Sequence, residues 1–221
     1  MAASFPNEKS LIQGAAGAIE IAAHLPTTFT PRAVAVVAHP HPLFGGSMDN
    51  KVATTLARAM VDAGAATYRF NFRGVGKTES AHDDGRGETD DMLAVIAHAQ
   101  RVHPMLPLWL AGFSFGGAVT LAASEKISAD EMVLIAPAFQ RMSHWPNTTG
   151  GNPPVSTLLI HGEKDDTVPV HDSFNWARSR DIAVCVIPDA DHFFHLRLHI
   201  IKRLTLRHLR VRESEAEAKP D

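Results

Sequence analysis

The sequence predicts one α/β domain: a doubly wound, mostly parallel sheet sandwiched between two helix layers (α/β/α), with no lid domain. Three observations carry that expectation. Apolar runs of strand length alternate along the chain with segments of helical periodicity. Most of the runs are continuous rather than alternating, as strands covered on both faces must be. And 221 residues, 45% of them hydrophobic, suffice for one such core.

The elements follow in order. "SFPNEKSLIQGAAGAIEIAAHLP" (4–26) supplies one or two antiparallel edge strands. "AVAVVA" (33–38) is the first fully apolar strand, and Val52, Leu56, Ala59, Met60 and Ala63 then keep one helical face after Asp49. "ATYRFNF" (66–72) is the next strand. Met92, Val95, Ile96 and Ala99 repeat the helical spacing after the acidic "ETDD", whose charges suit a helix N-terminus. "LWLAGF" (108–113) runs into "GGAVTLAASEK", a small-residue helix able to lie close to a sheet. "MVLIA" (132–136), "TLLIH" (157–161) and "AVCVI" (183–187) complete the strands. A last helix is expected from about Phe194 to Leu209, with Leu196, Ile200 and Leu204 on one side. The domain is drawn at 1–210, and 211–221 as a charged, flexible tail. Residues 137–154 read as a loop too short for a helical lid.

Composition removes several function classes. A net charge of −3 offers no basic excess for nucleic acid or an anionic membrane. No apolar run approaches ~18 residues, so no membrane span is expected. The N-terminus lacks a basic stretch followed by an apolar one, and a cytoplasmic location is the expectation. Cys185, the single cysteine, excludes an intrachain disulfide and reads as a buried core thiol.

The strongest chemical signal is Gly112-Phe113-Ser114-Phe115-Gly116, a G-x-S-x-G between an apolar strand and a small-residue helix. That context holds a serine on a strained turn with its hydroxyl above the sheet. A glycine-rich turn with an incidental serine is the plainer reading, and the flanking strand and helix weigh against it. A serine hydroxyl needs a base, and the base an orienting group. Asp165 in "TLLIHGEKDDTVPVHDS" and His192 in "AVCVIPDADHFFHLR" follow in the order Ser, Asp, His, each just after a strand.

Two other motifs point elsewhere. "GVGKT" (74–78) resembles the end of a phosphate-binding loop, but the first glycine of that pattern falls on Asn71 and no helix begins at the lysine. His39 and His41 form an H-x-H that could, with His161, Asp165, His192 and His195, be assembled into a binuclear metal site. Barrel enzymes with that motif need a longer chain, and a metal leaves the serine turn unexplained, so neither metal nor cofactor is expected.

Taken together, "HPHPLFGGS", "RFNFRGVGKTES", "GFSFGG", "HGEKDDTVP" and "DADHFF" resemble the α/β-hydrolase superfamily, in particular its small lid-less bacterial serine hydrolases. The resemblance spans about Gly17 to Leu209. It implies an α/β-hydrolase fold and a catalytic Ser114, Asp165 and His192. The acid pattern H-G-x-x-D-x-x-V-P falls on His161, Gly162, Asp165, Val168 and Pro169, with Asp166 as the alternative acid; His195 is the alternative base. Backbone N–H groups of Leu43 and Phe115 are implied as oxyanion donors, with His41 N–H as the alternative to Leu43. Pro42 stands where the family usually has glycine, and neither Pro40 nor Pro42 can donate. The implied activity is hydrolysis of small, soluble carboxylic esters or thioesters by a carboxylesterase-like monomer or homodimer with an open, shallow site. A histidine base works neutral, so activity is expected to fall on acidification. The rivals are a non-catalytic binding protein on the same fold and a metal-dependent hydrolase using His39 and His41.

Overall fold

In the computed structural model, residues 9–26, 30–139 and 151–217 are described. The heart of the expected 137–154 loop and the last residues of the tail fall outside them. Strands β1 (Lys9–Gly14) and β2 (Gly17–His24) form an antiparallel hairpin, Gly14 opposite Gly17. Then come β3 (Ala33–Ala38), α1 (Lys51–Asp62), β4 (Ala65–Phe70), α2 (Arg86–Val102), β5 (Leu108–Phe113) and α3 (Phe115–Ala123). β6 (Glu131–Ile135), β7 (Leu158–Gly162), α4 (Val170–Arg178), β8 (Val184–Ile187) and α5 (Leu198–Glu217) complete the chain. The eight strands form one sheet in the order β1-β2-β4-β3-β5-β6-β7-β8. β2 pairs β4 antiparallel, and every pairing from β4 to β8 is parallel.

The continuous apolar runs have their physical cause here. All six residues of β3, β4 and β5 are buried, because both faces are covered. Ala33, Ala35 and Val37 face α1 and α5, while Val34, Val36 and Ala38 face α2 and α3. On α1, Val52, Leu56 and Met60 form the stripe that enters the core. Leu56 and Met60 are fully buried, each worth roughly 2 kcal/mol of removed apolar surface. Asn50 fixes the start of α1, its side chain accepting the N–H groups of Val52 and Ala53 at 2.9 and 3.3 Å.

Three helix boundaries differ from the sequence expectation. α2 begins at Arg86, so the acidic run lies within it. Glu88 is recruited to the N-terminus, its carboxylate accepting the N–H groups of Gly85 and Asp83 at 2.8 and 3.0 Å. α5 begins at Leu198 rather than near Phe194, because Phe194 and Leu196 have positive φ (53° and 59°) and cannot belong to a right-handed helix. At its other end α5 runs to Glu217, past the expected stop at Leu209. The Arg, Glu and Ala residues there are good helix formers.

Asp91, one turn further along α2, binds the loop after β4. Its carboxylate takes Arg73 Nε at 3.0 Å, an Arg73 terminal nitrogen at 2.8 Å and Arg73 N–H at 3.0 Å. Both side chains are less than a tenth exposed. Arg73→Met alone strands a buried carboxylate and is expected to lower stability by about 3–5 kcal/mol in urea unfolding. Adding Asp91→Leu should recover most of the loss; a double variant no better than the single would show that the pairing is not what matters.

The sheet also fixes where a site can lie. β4 and β5 flank β3 on opposite sides, so the connections after β3 and β5 diverge: α1 packs on one face and α3 on the other. A crevice opens at the carboxyl ends of β3 and β5, the topological switch point at which doubly wound sheets carry their ligands.

Candidate active site

Ser114 stands at that switch point, between β5 and α3, with φ 55° and ψ −118°. A non-glycine residue adopts this backbone only where its surroundings over-determine it. Here they do. Ser114 N–H donates to Ile135 at 2.9 Å, and its carbonyl accepts Gly117, Ala118 and Ala138 N–H at 2.9, 3.2 and 3.1 Å. The two glycines of the motif are steric requirements. A Cβ at Gly112 would lie 2.2 Å from the Gly116 oxygen, and one at Gly116 would lie 2.4 Å from the His39 oxygen.

His192, in the turn after β8, places Nε2 3.1 Å from Ser114 Oγ and Nδ1 2.7 Å from Asp165 Oδ2. Its ring lies 4.9 Å from that of Phe113. Asp165 sits in the turn after β7, where Oδ1 accepts the N–H groups of Thr167 and Val168 at 3.0 and 2.7 Å. Burial disfavours the Asp165 charge, but hydrogen bonds from His161, His192 and Val168 outweigh it and hold the carboxyl well below the usual carboxylate range. An ionised carboxylate accepts only, so His192 Nδ1 carries the ring proton and Nε2 is left to accept from the Ser114 hydroxyl. This arrangement can take a proton from the serine as its oxygen attacks a carbonyl carbon.

The alternatives lie apart. Asp166 accepts the Thr167 hydroxyl at 3.3 Å. His195 Nδ1 is 2.5 Å from Asp191 Oδ2, with the imidazole 72% exposed. In the sequence His161 belongs to the acid motif and to the candidate metal set; in the fold its Nε2 lies 3.2 Å from Asp165 Oδ2. The sequence does not single out His82. Its ring lies 4.8 Å from His41 and 5.6 Å from Phe115, with Nδ1 2.8 Å from the buried Glu88. It belongs to no motif or periodic face, so only the fold reveals it.

The loop after β3 is built on His39 and His41, whose rings do different things. His39 is fully buried; Nε2 accepts Phe72 N–H at 3.0 Å and Nδ1 donates to the Pro40 carbonyl at 2.6 Å. Both nitrogens are engaged, so His39 is a brace between two loops and not a metal ligand. Burial lowers its pKa to about 4, the Pro40 carbonyl opposing the shift and His41 adding to it. Folded His39 thus refuses a proton that the unfolded chain accepts. Its contribution to stability is complete above about pH 6.5 and declines toward pH 4, by a total on the order of 3 kcal/mol. His39→Gln keeps a donor and an acceptor but does not titrate, and should flatten that part of a stability curve measured by denaturant unfolding. An unchanged slope would assign the acid sensitivity to another group.

His41 instead lies against Phe115, ring centroids 4.6 Å apart, and its Nδ1 accepts Leu43 N–H at 3.3 Å. Pro42 opens a short 3-10 turn, Pro42–Phe44, with Gly45 in the left-handed region closing it. Leu43 N–H is therefore turned onto His41, a long contact. Phe115 N–H, the first of α3, has no hydrogen-bond partner among the described residues. Leu43 and Phe44 on this loop are 69% and 82% exposed; Phe193, beside His192, is 49% and Leu196, four residues after that histidine, 89%.

The "GVGKT" loop is occupied by the protein itself. Glu20 Oε2 accepts Lys77 N–H at 3.1 Å and Asn71 Nδ2 at 2.7 Å, and Thr78 Oγ1 donates to the Asn71 carbonyl. An internal carboxylate sits where a phosphate would have to be. Among the described residues no helix is long and apolar enough to cross a membrane.

Comparison with known proteins follows the same lines. The family described as serine aminopeptidase, S33, matches residues 30–153. An α/β serine hydrolase homologue from Coxiella burnetii has 34% identity and a TM-score of 0.84, covering 94% of this chain and 100% of its own. A lid-less α/β serine hydrolase from Xanthomonas campestris, also at 34% and 0.84, covers 93% and 95%. An uncharacterized protein of Rickettsia prowazekii is 30% identical over 173 residues, 74% of this chain and 73% of the relative.

Proposed function

Since the chain belongs to the serine aminopeptidase, S33, family of α/β hydrolases, we propose that it cleaves small carboxylic esters or thioesters through an acyl-enzyme on Ser114. The observation that carries this reading is the unbroken run of hydrogen bonds from Ser114 Oγ through His192 to Asp165.

Ser114 Oγ attacks the substrate carbonyl carbon while His192 Nε2 takes the hydroxyl proton. Asp165 keeps the imidazole in the required tautomer and stabilises the imidazolium. The oxyanion forms at the switch point, with Phe115 N–H as one donor and the N–H of Leu43, or of His41, as the other. Leu43 N–H is held only by a 3.3 Å contact to a ring nitrogen, and an oxyanion is a far stronger acceptor. One such donor typically lowers the barrier by about 3 kcal/mol. His192 then gives its proton to the leaving alkoxide or thiolate, the C–O or C–S bond breaks, and water repeats the sequence on the acyl-enzyme.

Two features favour esters over aminopeptides. An aminopeptide carries an ammonium group that a carboxylate would hold, and three carboxylates are already engaged: Asp191 with His195, Asp189 with Lys164, and Glu88 with backbone N–H groups and His82. Leu43, Phe44, Phe193 and Leu196 instead offer an exposed apolar rim to an uncharged group. The test is a panel of nitrophenyl esters, acyl thioesters and aminoacyl amides, run beside labelling by a fluorophosphonate. Ester turnover with labelling confined to Ser114 is expected. Amide turnover exceeding ester turnover would replace this reading with aminopeptidase activity, and labelling that survives Ser114→Ala would end it.

A further inference from the structure

We propose that His161 is a positioning residue for the reaction: a second imidazole that fixes the Asp165 carboxylate so that Oδ2 stays aimed at His192. The inference rests on the roles proposed for Ser114, His192 and Asp165.

His161 is fully buried near the end of β7, and the mechanism does not use it. Its Nε2 faces two acceptors, the Val168 carbonyl at 2.8 Å and Asp165 Oδ2 at 3.2 Å. Neither can donate, so Nε2 carries the ring proton. Nδ1 lies 2.7 Å from the hydroxyl of Ser173, a fully buried residue of α4. The ring is thus held at both ends, by the turn that carries the acid and by the helix that follows it.

A carboxylate offers about four acceptor positions. On Asp165 each position meets a partner. Oδ1 receives Thr167 and Val168 N–H, and Oδ2 receives His192 and lies 3.2 Å from His161 Nε2. The backbone donors fix one oxygen but leave the group free to pivot about it. His161 restricts that freedom through its contact with the second oxygen. A buried histidine kept only for packing would need no carboxylate, since the Val168 carbonyl and the Ser173 hydroxyl already satisfy both its nitrogens. The contact with Asp165 is additional, and it falls on the one oxygen whose direction the chemistry depends on.

The experiment compares His161→Leu, His161→Gln and Ser173→Ala with wild type, using kcat and KM for an activated ester normalised to fluorophosphonate-titrated sites. Glutamine can place an amide N–H near the position of Nε2; leucine cannot. His161→Leu is expected to lower titrated kcat roughly 10- to 100-fold with KM within about 2-fold, the scale of a small misplacement of a reacting group. His161→Gln should recover most of that loss. Ser173→Ala, which frees the ring to turn, should fall between wild type and His161→Leu. Titration counts only folded, labelled enzyme, so poor folding of one variant does not imitate the effect. If titrated kcat in His161→Gln and Ser173→Ala matches wild type and His161→Leu matches both, the role is refuted. Failure of the underlying reading shows separately, as labelling or turnover that persists in Ser114→Ala.

Discussion

Ser114→Ala is expected to lower kcat/KM for an activated ester by at least about 10⁴-fold, leaving what binding and the oxyanion donors supply without a nucleophile. The change removes one oxygen atom. The backbone bonds that hold residue 114 at positive φ come from its own N–H and carbonyl, so the turn keeps its shape. The thermal midpoint should therefore stay within about 4 °C of wild type, since the one bond lost is the buried contact of Oγ with His192 Nε2. Burst kinetics and fluorophosphonate labelling should both vanish. Residual turnover within 10-fold of wild type would require another nucleophile.

Asp165→Asn should cost almost as much, roughly 10⁴-fold in kcat. Position Oδ1 must accept two backbone N–H groups, from Thr167 and Val168, so the amide oxygen of asparagine is forced there. The NH2 group then takes the Oδ2 position and points donors at His192 Nδ1 and His161 Nε2. His192 can accept that donor only by moving its proton to Nε2, and the nitrogen facing Ser114 can no longer take a proton. Site titration separates this from lost folding: Ser114 remains, so labelling should be slowed rather than abolished. Rapid labelling at the wild-type rate would place the base elsewhere. A double Ser114→Ala/Asp165→Asn variant should be no slower than Ser114→Ala, because the three groups act as one unit.

Both substitutions were legible as targets before any coordinates, and the reason is physical. A strand buried on both faces writes itself as an unbroken apolar run, so "AVAVVA" and "LWLAGF" show their place, and Ser114 stands out as the residue between such a run and a small-residue helix. Asp165 and His192 were readable because each follows a strand in the order the fold requires. What stayed hidden depends on contacts between distant segments. The late start of α5 follows from left-handed backbone at Phe194 and Leu196, which no periodicity encodes. That Leu43 N–H turns onto His41 depends on how Pro42 enters its 3-10 turn. The two histidines of the H-x-H look alike in sequence; only the fold buries one between loops and lays the other on Phe115.

The exposed rim has a consequence for how such an enzyme can change. Leu43, Phe44, Phe193 and Leu196 lie outside the three core clusters that hold the sheet to its helices. The residues proposed to meet a substrate are therefore not the residues that keep the chain folded. Surface replacements of this kind usually shift stability by no more than about 0.5 kcal/mol. Substitutions along this rim can therefore accumulate while Ser114, Asp165 and His192 stay anchored to strands that none of those changes reach.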